Sequence, residues 1–120
     1  MIPRILAAIA AIALAATAAF HATGYQDIVE AVSATEMSRF FRDVLPGIWL
    51  FFSWHLLALA LGLGWAVLRA DRSVRALVTF IAGLVCVDTL FVFSLAGLFP
   101  GTLLLFGAAI CTVIAAVRWP

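Results

Sequence analysis

The sequence predicts an all-α integral membrane protein: four transmembrane helices in an up-down bundle, with a short amphipathic helical segment between the first and the second. Three observations predict it. Of the 120 residues, 67% are hydrophobic and 11% charged. Soluble domains run at about 45–50% and about 25%, so here polar groups cannot cover the apolar surface and lipid must solvate it. Four runs are each close to the roughly 20 apolar residues that a helix needs to cross a hydrocarbon core of about 30 Å. The basic residues, all Arg, gather at the ends of those runs and not inside them. The mean hydropathy, +1.23, agrees. Residues 1–120 form a single membrane domain, with no room for a soluble module.

The first span is predicted over residues 3–22, where Pro3 suits a first helical turn because its missing N–H costs nothing there. Arg4, the apolar run to Ala16 and the small residues at 13–19 also describe a secretory signal peptide. The run continues without the polar stretch that precedes cleavage, so a retained span is expected. Residues 24–45 are the only polar region, carrying Asp27, Glu30, Glu36, Arg39, Arg42 and Asp43. Ile28, Val29 and Val32, then Met37, Phe40, Phe41 and Val44, recur at helical spacing. Ser33 followed by Glu36 fits a capping box. The segment therefore reads as two helices, 25–32 and 34–45, lying on the outer membrane face as a cap or as a docking surface.

The second and third spans, 48–69 and 74–98, are joined by the short stretch RADRSVR. The turn LFPGT leads into the fourth span, 102–119, with Pro100-Gly101 as its punctuation. Arg4, Arg69, Arg72, Arg75 and Arg118 fall on one side of such an array and only Arg39 and Arg42 on the other. The bias places both termini in the cytoplasm, and the Lys-free, Ala/Arg-rich composition suggests a bacterial inner membrane.

The inventory also excludes. Without Lys there is no Schiff base to retinal or pyridoxal. A net charge of +1 offers no basic patch for nucleic acid. Cys86 and Cys111 lie inside apolar runs and read as packing residues. No metal-binding, nucleotide-binding or paired-carboxylate motif occurs. Ser53 and His55, two apart on a helix, point in different directions. No catalytic residues, metal or resident cofactor are expected.

Helices associate in lipid through small residues. Ala7, Ala11, Ala15 and Ala19 repeat every fourth residue in the first span; Ala58, Gly62 and Ala66 do so in the second, and Gly107, Cys111 and Ala115 in the fourth. His55 shares the face of Ala58, Gly62 and Ala66 and so points at another helix. A polar group there needs a partner. In an antiparallel hairpin turning near residue 71, residues at equal depth share an index sum of about 143. His55 and Asp88 meet that sum, roughly 15 Å below the outer surface. Asp88 shares its own face with large residues such as Ile81, Val85 and Phe91, so the first helix, another protein, or a threonine (Thr89 or Thr112) are the competing partners. His21, at the outer end of the first span, reads as an interfacial group in water.

The expected function is that of a small non-catalytic membrane protein, an accessory or assembly subunit partnered by another membrane protein or by its own copies. Two alternatives use the same residues. One is a proton- or ion-coupled transporter working through Asp88 and His55. The other is a subunit that binds haem, a pigment or a quinone through His55.

Overall fold

The computed structural model describes residues 1–69 and 71–119, all-helical apart from short connections. Helix α1 (Ile2–Thr23) is almost wholly Ala, Ile and Leu, with Pro3 in its first turn. It breaks at Gly24, and α2 (Tyr25–Ser33) begins at the next residue. Helix α3 (Arg39–Arg69) carries Pro46 in its interior. A 3₁₀ turn, Arg72–Val74, leads into α4 (Arg75–Ala96), and α5 spans Pro100–Arg118. Four stretches are long and apolar enough to cross a membrane: Ile2–Ser33, Arg39–Arg69, Arg72–Ala96 and Pro100–Arg118.

The polar region departs from expectation. No separate helix covers 34–45: residues 36–38 have no regular secondary structure, and Arg39 onward is already α3. Ser33 is not an N-cap; its hydroxyl donates back to the Val29 carbonyl at 2.7 Å, a bond of the last turn of α2. The apolar recurrence from Phe40 to Val44 is the first two turns of one long helix, which passes straight through Pro46. Proline removes one N–H but does not end a helix whose neighbours hold it. Helix α2 follows α1 after one residue and packs against α3. The molecule is 53 Å long, well beyond a hydrocarbon core of about 30 Å. Pro100 and Gly101, expected as a turn, instead open α5.

The helices form a ring in which α1 touches α3 and α5, and α4 touches α5 and α3. Neighbours run antiparallel. The Arg4 guanidinium, near the start of α1, donates to the Val67 carbonyl near the end of α3 at 3.0 Å. The Trp119 indole, beyond the end of α5, donates at 3.0 Å to the Asp71 carbonyl just before α4. Arg4, Arg69, Arg72, Arg75 and Arg118 thus share one end, the arginine end, and α2 marks the other. At the arginine end the Ser73 hydroxyl and amide donate to the Asp71 carboxylate and hold its pKa below the usual carboxylate range. At the α2 end the chain turns at Gly97, whose φ of 68° suits glycine, and Thr102 ties the turn by donating to the Gly97 carbonyl at 2.8 Å.

The seams follow a 3–4 alternation, not a strict fourth-residue repeat. On α1 the buried residues are Ala7, Ala10, Leu14, Thr17 and Ala18. Ala11 and Ala15 are half-buried and Ala19 is exposed. At 100° per residue, the twelve residues from Ala7 to Ala19 rotate the side chain by about 120°, off the seam. On α3, Ala66 is buried, Gly62 half-buried and Ala58 exposed, while Leu56, Leu59, Ala60 and Leu63 supply the core. On α5, Ala115 is buried and Cys111 half-buried; Gly107 faces outward, with Ala108 and Ala109 turned inward instead. Buried hydroxyls are satisfied by the preceding helical turn: Thr89 donates to the Val85 carbonyl at 2.6 Å, and Thr112 to that of Ala108. Among the described residues no buried side-chain nitrogen or oxygen lacks a partner.

Candidate functional site

His55 and Asp88 meet across the α3–α4 seam, the loosest of the four. Nε2 of His55 lies 2.8 Å from Oδ2 of Asp88, and the side chains are 28% and 15% exposed. The hairpin register explains the meeting, because Gly62 and Ile81 satisfy the same index sum one layer deeper. A Cβ on Gly62 would come within 2.9 Å of the Ile81 Cδ1 atom. The glycine lets the helices approach, and the approach brings imidazole to carboxylate. Neither Thr89 nor Thr112 takes part, since both hydroxyls bond helix carbonyls. Phe52, one turn toward the α2 end, stacks on His55 at 6.2 Å. Haem or pigment ligation through Nε2 would have to break the pair.

A second histidine cluster went unread in the sequence. His21 is half-buried and not simply an interfacial group in water. Its ring stacks on Trp49 with centroids 3.9 Å apart at 17°, and Phe52 meets it edge-on at 5.1 Å. Nδ1 of His21 lies 2.9 Å from the Ser53 hydroxyl, and the Trp49 indole donates to the His21 carbonyl at 2.7 Å. The 24–45 connection is too long to set the α1–α3 register. Arg4 and Arg69 at a common end would have set it, by placing His21 level with residues 52 and 53.

Gly24 makes this cluster possible. A Cβ there would lie 2.9 Å from the Trp49 Cζ2 atom, and the indole is pinned on one side by His21 and at its N–H by a carbonyl. Gly24→Ala is expected to destabilise the folded chain by about 1–2 kcal/mol, measured by thermal unfolding in mild detergent. Gly64→Ala, where nothing lies within 4 Å, serves as the control and is expected to be neutral or slightly stabilising.

The cluster forms one wall of a cavity of about 820 Å³ at the α2 end. Trp49, Phe52 and Ile48 of α3 face Phe91, Val92 and Leu95 of α4 across it. Thr17, Phe20 and His21 line it from α1, Leu105 and Phe99 from the α5 side, and Asp27, Ile28 and Val32 from α2. Phe99 can fold over the start of α5 because residue 101 is glycine; a Cβ there would sit 2.6 Å from the ring. The His55–Asp88 pair lies one turn beyond Phe52, Phe91 and Val92, below the cavity floor. The fit is chemical as well as spatial: apolar walls, five aromatic rings, one imidazole and one carboxylate.

Ser53 sits mid-helix, so the backbone N–H groups beside it are bonded within α3 and are not free to serve as an oxyanion hole. Among the described residues, no three His, Cys, Asp or Glu side chains are grouped as metal ligands would be, and Cys86 and Cys111 are free thiols. No protein-family model, curated protein or solved structure matches the chain.

Proposed function

We propose that the chain is a small non-catalytic multi-pass membrane protein, an accessory or assembly subunit whose own working part is the cavity at the α2 end. The observation that carries this reading is the cavity itself. Its 820 Å³ lies within the roughly 300–1,000 Å³ typical of small-molecule sites. In this reading the four helices cross a bacterial inner membrane as an up-down bundle. The arginine end and both termini lie in the cytoplasm, by the bias of Arg toward that side, and the cavity opens toward the outer face. The His55–Asp88 pair then acts as a clasp that holds α3 to α4 beneath it.

The test is native mass spectrometry of protein purified gently from its own membranes, with Val92→Trp as a cavity-filled variant. A bound small molecule or lipid that disappears in the variant is expected. A bare chain, or an adduct indifferent to the variant, would overturn the cavity reading. Crosslinking before extraction tests the subunit reading, which predicts a heterologous partner.

The position of the pair under the cavity floor favours one second reading, coupled transport, with the imidazole and carboxylate relaying a proton. Asp88→Asn abolishing proton flux in proteoliposomes would support it, and unchanged flux would remove it.

A further inference from the structure

We propose that the cavity takes a lipophilic organic cation; this rests on the cavity reading and adds the charge of its occupant. The inference begins with Asp27. Asp27 is an exposed residue that lines a largely apolar chamber, and no Arg among the described residues pairs with it. Among the described residues the two ion pairs are Arg39–Asp43 and His55–Asp88. Arg42, the other base at this end, is turned to the Met37 carbonyl at 3.0 Å, and the remaining five Arg lie at the opposite end. Glu30, one turn along α2, is a second carboxylate with no ion-pair partner among the described residues. The α2 end carries four carboxylates, Asp27, Glu30, Glu36 and Asp43, against the two bases Arg39 and Arg42, and so attracts cations.

Behind the carboxylate the lining is suited to the same class. Phe20, Trp49, Phe52, Phe91 and Phe99 line it, and aromatic rings attract a cation whose hydration is weak. A hydrophilic cation gains nothing from such walls, because it would leave its water for apolar surface. An organic anion meets Asp27 and Glu30 with like charge. A cation carried on a bulky apolar body satisfies both parts: its charge near Asp27 and its body against Phe52, Phe91 and Val92.

The experiment compares two probes of one size and opposite charge, tetraphenylphosphonium and tetraphenylborate. Full-length protein in nanodiscs of zwitterionic lipid is examined by equilibrium dialysis, with protein-free nanodiscs subtracted. Saturable binding of the phosphonium at about one per chain is expected, without matching binding of the borate. Asp27→Asn is expected to weaken phosphonium binding by about tenfold, and the effect should shrink as salt is raised, because Asp27 is exposed. Val92→Trp should abolish binding. Equal binding of both ions, untouched by Asp27→Asn, would overturn the preference for a cation while leaving the cavity intact. Absence of any probe binding, together with a bare chain in native mass spectrometry, would overturn the cavity reading as well.

Discussion

His55→Leu is expected to cost the folded bundle about 2–3 kcal/mol, whereas the double change His55→Leu with Asp88→Leu should recover most of that loss. The single change strands a carboxyl group at mid-depth. Insertion scales put a charged residue at a helix centre near 2.5–3.5 kcal/mol, and the 15% exposure of Asp88 trims that figure only slightly. The double change leaves two apolar residues in an apolar seam. Asp88→Asn keeps a hydrogen-bonding group opposite His55, so it is expected to cost no more than about 1 kcal/mol, in line with interhelical hydrogen bonds in other membrane proteins. Denaturant unfolding in mild detergent measures these variants beside Asp88→Leu and the unmodified chain, which closes the cycle. A double variant as unstable as the sum of His55→Leu and Asp88→Leu would show that the 2.8 Å contact carries no coupling.

Ala10→Leu should be the more damaging of two alanine changes on α1. Ala10 is fully buried where α1 packs against its neighbours, and three added carbons there force the helices apart at about 2–3 kcal/mol. Ala19→Leu, on an exposed position, is expected to move stability by less than about 0.5 kcal/mol. The contrast separates the observed seam from the fourth-residue repeat, in which Ala19 would be a contact and its substitution costly. Thermal unfolding of the two variants side by side decides between them.

What the sequence made legible, and what it did not, follows from connection length and helix geometry. The four apolar stretches were plain because their length and composition alone mark them. The short link after Arg69 fixes the α3–α4 register, and that register places His55 and Asp88 together. The link from Gly24 to Leu45 fixes nothing, so the His21–Trp49–Ser53 cluster, and the cavity it walls, were legible only through the common end of Arg4 and Arg69. The small-residue seams were only half legible. Ala7, Ala66 and Ala115 are buried as expected, but Ala19, Ala58 and Gly107 are exposed. A fourth-residue repeat drifts around an α-helix, and an alanine-rich span offers such repeats on every face. The false capping box at Ser33 has a similar origin: the local pattern was met, but α2 still had its last turn to complete.

Everything proposed for the cavity depends on α3 crossing a bilayer once, with α2 on the outer side. In a background carrying Cys86→Ala and Cys111→Ala, single cysteines at Ser33 and Ser73 can be exposed to a membrane-impermeant maleimide on intact cells. Ser33→Cys should be labelled at once, and Ser73→Cys only after the membrane is permeabilised. Labelling of both from the same side, or of Ser73→Cys alone, would contradict the topology and with it an outward-facing cavity.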